Sequence, residues 1–351
     1  MMKNLKFVII FLVVIYFITS LAYQKAIVKP VDVSGNDVIF IVNKGESVKE
    51  IGKNLAKNSL INSEYYFNKY IKKSDNQLNL QAGEYVLNPM LNIKEIVEIF
   101  VKGNTKNEED VIKVIEGWSV KDIAEYFEKL GKLKTDDFFA VVGTPKIDYR
   151  KEKKLSPPKD FSDQYDFLSD KPDYYGLEGY LFPDTYRIFK NASIEDVVYK
   201  MLNNFNKKFT PEMRAEVKKQ GKTIFEIVTM ASVVEKEVRS AEDMKLVSGI
   251  FWNRINNKQP LQSCASLAYV LGVNKAIYST EDTQIESLYN TYQHTGLPPA
   301  PIANPGLNAI MAAIYPAKTD YFYFLTSNID GKTIFAKTYE EHLKNKTRYL
   351  K

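Results

Sequence analysis

The hydrophobic pattern opens on an uncharged apolar run from Phe7 to Tyr23, with Lys3 and Lys6 ahead of it. A run of this length is at the short end of what crosses a bilayer, and snorkelling lysines can extend it. It predicts a retained transmembrane anchor within residues 1–25, with the basic end inside. Cleavage as a signal peptide near Ala22 is the alternative. Beyond it, Val38 to Val42 reads as a strand, Lys44-Gly45 as a turn, and Ser47 as the cap of a helix bearing Val48, Ile51 and Leu55. A second helix follows in "NSEYYFNKYIKK", then a strand from Glu84 to Leu87, then a helix ended by Gly103.

The strand–turn–helix pattern recurs. Val111 to Leu133 matches the first copy at Val114/Val42, Gly117/Gly45, Ser119/Ser47 and Ile123/Ile51, each glycine standing two residues before a capping serine. These two halves predict a small α+β module over residues 26–144. Residues 145–172 are charged, proline-rich and weakly periodic, as a linker or surface loop would be. From 173 to 351 the pattern gives a short strand-like stretch broken by Pro183, then helices at Ser193–Lys208, Pro211–Lys219 and Ile224–Val238, and one from Ala241. Loops and a hairpin with Gly331 in its turn close the chain. The fold class is α+β: an N-terminal transmembrane helix, the small module, and a mixed helical and β-hairpin domain.

One position interrupts this pattern. On the helix from Ile224, the residues Ile224, Ile227, Val228, Ala231, Val234 and Val238 form an apolar stripe, and Glu235 falls inside it. The same period points Glu237 away, among polar positions with Lys236. A carboxylate on an apolar face is destabilised as an anion and tends to keep its proton, which suits a general acid for glycoside cleavage. A buried glutamate paired with Arg254 or Lys236 is the structural alternative. Composition narrows the chemistry. The 351 residues carry a net charge of +5 with lysines and acids interspersed, so no nucleic-acid stripe stands out. Two histidines and one cysteine, Cys264, leave little for a metal cluster or a disulfide. The segments "LQSCAS" and "YNTY" offer the amide, hydroxyl and aromatic groups that sugars prefer, and "GLPPAPIANPG" reads as a proline-fixed wall.

Taken in order, "EGWSVKDIA", "GYLFPDTY", "ASVVEKE", "LQSCAS", "YNTY", "GLPPAPIANPG" and "YPAKTDYFYF" resemble the motifs of the endolytic murein transglycosylases, or YceG-like proteins. The resemblance runs from the anchor to near the C-terminus. It implies a LysM-like module over 26–144 and a lytic transglycosylase domain over 173–351, periplasmic, on a single-pass inner-membrane protein. The first glutamate of the family's "EKE" motif maps onto Glu235 as catalytic acid and base. Gln262, Ser263, Tyr289, Asn290, Thr291, Tyr292 and Asn304 become the expected substrate-binding residues. No cofactor and no metal are called for. The expected partners are peptidoglycan strands and cell-wall synthases, with no nucleic acid.

The implied reaction cleaves the MurNAc–GlcNAc bond, leaves 1,6-anhydroMurNAc ends and would limit nascent strand length. One departure stands out. Where the family commonly has an Asp-Pro pair, this chain has Cys264-Ala265. Two other readings stay open: a murein hydrolase with a second carboxylate such as Glu178 or Asp184, and a non-catalytic, membrane-tethered glycan-binding scaffold.

Overall fold

In the computed structural model the described residues are 15, 17–32, 35–74, 79–103, 109–189, 192–275 and 278–350. The contacts divide the chain between Glu109 and Asp110 into two units.

In the first unit, β1 (Val38–Val42) alternates as its sequence requires, with Phe40 and Val42 buried and Ile39 and Ile41 facing out. The helix α1 (Val48–Lys57) starts from a capping box, Ser47 accepting from the Glu50 N–H while the Glu50 carboxylate answers the Ser47 N–H. Gly52 lets α2 (Glu64–Lys73) approach, since a Cβ there would sit 2.9 Å from the Phe67 ring. The strand β2 (Gly83–Leu87) pairs antiparallel with β1, Phe40 opposite Tyr85 and Val42 opposite Gly83. A second capping box, Asn92 with Glu95, starts α3 (Ile93–Lys102), which closes a core of Leu55, Phe67, Ile71, Leu87, Ile96 and Phe100.

The expected transmembrane helix requires correction. Among the described residues no helix is long and apolar enough to cross a membrane. Residues 17–28 are helical and run on through Gln24 and Lys25. Tyr23 and Ile27 are buried, and Tyr23 lies against Tyr66 and under the ammonium groups of Lys69 and Lys73 on α2. That end of the helix is therefore packed on protein rather than on lipid. The remainder of the expected span, residues 7–14 and 16, lies outside the described residues.

The second unit takes in β3 (Glu109–Lys113) from Asp110 onward, then the repeated turn and helix, α4 (Val120–Lys129). Gly117 and Gly45 both take positive φ, 78° and 84°, and Ser119 caps α4 as Ser47 caps α1. The surroundings differ. The partner of β3 is β4 (Thr185–Phe189), and Val120, Ile123 and Phe127 enter the core of this unit, together with Phe138 and Val142 of α5 (Thr135–Val142). The segment 145–172 is irregular, yet Phe161, Tyr165, Phe167 and Leu168 are buried in that core. Five helices follow: α6 (Ile194–Lys208), α7 (Pro211–Lys219), α8 (Ile224–Glu237), α9 (Ala241–Asn256) and α10 (Cys264–Leu271). Then come the single turn α11 (Thr280–Thr283), α12 (Leu307–Ile314), the hairpin of β5 (Tyr323–Thr326) and β6 (Thr333–Ala336), and α13 (Tyr339–Tyr349). Central among them is α8, packed against α7, α9, α10 and α12.

Candidate active site

The position of the active-site candidate is set by how α8 is held. Thr223 and Glu226 form its capping box, and the Asp170 carboxylate accepts from the next two backbone N–H groups, Ile224 at 2.6 Å and Phe225 at 3.1 Å. Ile227, Val228, Met230, Ala231, Val233 and Val234 are all completely buried. Burial is thus broader than the stripe read from sequence, and even Thr229 and Ser232 lie inside. Each spends its hydroxyl proton on a helix carbonyl, and Ser232 Oγ also accepts from Ile302 N–H at 3.0 Å.

Where α8 reaches the surface, its last turn presents two carboxylates. Glu235 is partly buried, and its Oε2 accepts from the Gly306 N–H at 2.9 Å. Burial pushes its carboxyl up to about 7, reinforced by the charge of Glu116, while the Gly306 bond and Lys236 oppose the shift. Near neutral pH a large share of the side chain holds a proton.

Glu237 departs from the helical-period reading. Its carboxylate is enclosed, not solvated: Oε1 accepts from the Ser263 hydroxyl and, at 3.4 Å, from the Ala265 N–H at the start of α10. Burial raises its proton affinity, and the nearby Arg254 opposes the rise. Ser263 precedes α10 without capping it, so Glu237 supplies the acceptor there. Arg254 is committed to the carbonyls of Leu261 and Phe322, and Lys236 to that of Gly117, at 3.0 Å. The buried ion pair weighed for Glu235 is not what holds it.

Gly296 to Gly306 forms the wall. Asn304 is fully buried and ties three segments together. Its Oδ1 accepts from Gly179 N–H and Leu181 N–H, at 3.0 and 2.9 Å, and its Nδ2 donates to the Trp118 carbonyl and to Glu178. Glu178, also buried, takes the Val120 N–H at 2.8 Å and the Tyr269 hydroxyl at 3.2 Å. Desolvation drives its carboxyl up to about 8. Gly179, at φ 91°, lets this turn reach the wall; a Cβ there would meet Pro301 at 2.6 Å and Val228 at 2.7 Å. Asp184, the other second-acid candidate, accepts from Asn204 and lies 4.0 Å from the Lys208 ammonium.

The expected substrate-binding residues separate into two groups. Asn290 and Thr291 are internal, like Asn304. Asn290 donates to the carbonyls of Thr283 and Ile285, and Thr291 Oγ1 takes the Ser263 N–H and meets Ser266 Oγ at 2.8 Å. Ser263 and Tyr289 are also buried. Gln262 is exposed, on a left-handed backbone at φ 50° that is pinned by its N–H to the Thr291 carbonyl. Tyr292 is partly exposed, its hydroxyl 3.2 Å from Cys264 Sγ. Only Gln262 and Tyr292 of that set present surface for a ligand; Ser263, Asn290 and Thr291 shape the loops that carry them, and Asn304 holds the wall. Among the described residues no group of three or more His, Cys, Asp or Glu side chains could hold a metal ion. One neighbour of Glu235 was missed by the sequence reading: Glu116, whose only signal was the likeness of "EGWSVKDIA" to a family motif.

The family model described as YceG-like matches residues 40–348. The chain belongs to the YceG-like family. A protein of Bacillus subtilis (strain 168) named endolytic murein transglycosylase is 33% identical to it over 337 residues, covering 93% of this chain and 89% of that protein. A Streptococcus pneumoniae (serotype 2, strain D39) protein of the same name is 31% identical over 98% of this chain, which spans 65% of that longer relative. A 2.6 Å crystal structure of a YceG-like protein from Listeria monocytogenes superposes with a TM-score of 0.56 at 31% identity, covering 89% of this chain and 99% of that one.

Proposed function

We propose that this YceG-like chain is an endolytic murein transglycosylase with Glu235 as its acid and base. The observation that carries the reading is the Glu235 carboxyl itself. It is partly buried, raised to about 7, fixed by the Gly306 N–H, and set at the surface end of a helix whose middle, Ile227 to Val234, is buried. A carboxyl tuned to the working pH can give a proton in one step and take one back in the next. In the first step Glu235 protonates the oxygen joining N-acetylmuramic acid to the following N-acetylglucosamine, and the C1–O bond breaks. The Glu235 carboxylate then removes the muramoyl C6 hydroxyl proton as O6 bonds to C1. The products are a new N-acetylglucosamine end and a 1,6-anhydromuramoyl end, with Glu235 protonated again and no water consumed. Mass spectrometry of murein digested by the protein tests this: anhydromuramoyl ends are expected, and reducing muramic acid ends alone would mean hydrolysis instead.

The finer parts of the reading follow from the substrate. Intact murein strands lie outside the cytoplasmic membrane, so the second unit would work there, limiting strand length beside cell-wall synthases. A LysM-like role for the first unit means that it binds murein without cutting it, which a pull-down of that unit on insoluble murein tests.

A further inference from the structure

The turn ahead of α4 brings a second carboxylate to Glu235. Trp118 N–H closes the turn onto the Ile115 carbonyl at 3.2 Å, with Gly117 in the left-handed region. This turn is locked to the wall from both sides, Gly117 N–H to the Asn304 carbonyl at 2.9 Å and Asn304 N–H to the Trp118 carbonyl at 2.8 Å. Both carboxyls meet Gly306. Its N–H holds the Glu235 carboxylate, and the Glu116 carboxyl fills the space a side chain would take, so that a methyl group at Gly306 would overlap it. Gly117 is also close, since a Cβ there would lie 3.4 Å from Glu235 Cγ.

We infer that Glu116 is a positioning residue of the proposed reaction: held against Gly306, its negative charge keeps on Glu235 the proton that the first step uses. The inference rests on the transglycosylase reading. The same charge also favours return of the proton, because a carboxylate left on Glu235 would face a like charge across one glycine. The charged groups acting on Glu235 are Glu116 and, with opposite sign, Lys236 on its own helix. Leu307–Ile314 of α12 and the wall from Gly296 to Gly306 carry no ionisable side chain. On α9, Arg254 turns to Leu261, Phe322 and Glu237, and Asp243 accepts from Thr333. On α10, Cys264 meets Tyr292 and Tyr269 meets Glu178.

The test is an NMR titration of carboxyl-labelled glutamates in the full chain, with the Glu235 signal assigned by its loss in Glu235→Gln. In Glu116→Gln the Glu235 carboxyl should titrate about half a unit to one unit lower than in the wild type. Glu116→Asp, which keeps the charge, should recover most of the difference, and high salt should shrink it because Glu116 is exposed. The alkaline limb of kcat/KM on murein should move the same way. An unchanged Glu235 titration in Glu116→Gln overturns the inference even if murein is cleaved. A wild-type protein that leaves no anhydromuramoyl ends overturns the reading beneath it, whatever the titration shows.

Discussion

Glu235 and Glu237 stand two residues apart and are asked to do different things. Replacing Glu235 with glutamine keeps an acceptor for Gly306 N–H and removes the titrating proton, so murein cleavage should fall by roughly 10²–10⁴. Its effect on stability depends on pH. The folded-state carboxyl is raised, to about 7, so ionising it costs stability as pH climbs from the unfolded value, near 4.5, through 7. Glu235→Gln should therefore leave stability unchanged at pH 4 and raise it at pH 8 by roughly 1–3 kcal/mol, seen as a higher thermal midpoint. A lower midpoint at pH 8 would mean that the carboxylate is held by a bond not identified around it. Glu237→Ala behaves differently: it strips the Ser263 hydroxyl and the Ala265 N–H of their acceptor and should cost about 1–3 kcal/mol at neutral pH. A Glu237→Ala midpoint equal to the wild type would show that water replaces the carboxylate there. Helical period singled out Glu235 from the sequence, but it misplaced Glu237. The reason is physical: α8 ends at Glu237 and Val238 is extended, so the 100° phase no longer decides what the last side chain meets. What Glu237 meets, Ser263 and Ala265, comes from the start of α10, more than twenty residues further along the chain.

At the scale of elements, the legible parts are those whose signals are local. The Ser47 and Ser119 caps, the glycine turns before them, the helix ended by Gly103 and the Tyr323–Ala336 hairpin each follow from a few adjacent residues. The 296–306 wall is different, because its proline content is visible while its anchor is not. The resemblance makes Asn304 an expected sugar ligand, yet it joins Gly179, Leu181 and Trp118, each more than a hundred residues away in the chain. Two substitutions separate these cases. Gly179→Ala forces a side chain onto a φ of 91° and into Pro301 and Val228, so it should cost at least about 2 kcal/mol and lower the denaturation midpoint clearly. Cys264→Ser puts a hydroxyl in place of the thiol beside Tyr292 at an exposed position and should stay within about 0.5 kcal/mol of the wild type, with cleavage nearly intact. If Cys264→Ser lost cleavage at unchanged stability, the thiol would have to be counted among the groups that touch the glycan.

At the scale of the whole molecule, the repeat in the sequence is real as local structure, while its two copies find different partners. Both copies make a strand, a left-handed glycine turn and a serine-capped helix. The first copy finds its partner strand in β2, while the second pairs with β4 and sends Val120, Ile123 and Phe127 into a core shared with Tyr180, Ile188 and Phe205. Local pattern cannot report which remote strand completes a pair, and so the sequence reading grouped residues 26–144 together whereas the contacts divide the chain at Glu109/Asp110. This difference can be measured by hydrogen exchange on two fragments. A fragment of residues 26–109 lacks Tyr23 but keeps the core of Leu55, Phe67, Leu87, Ile96 and Phe100, and should protect the amides of β1, β2 and α3 as the full chain does. A fragment of residues 26–144 adds α4 and α5 without the partners that bury them. Its residues 110–144 should exchange close to the unprotected rate, although the same amides are protected in the full chain. The added apolar surface should also make the longer fragment bind more of a hydrophobic dye and aggregate sooner. Full protection of α4 in the 26–144 fragment would mean that the two repeat copies complete each other, and that the cooperative boundary lies near residue 144 after all.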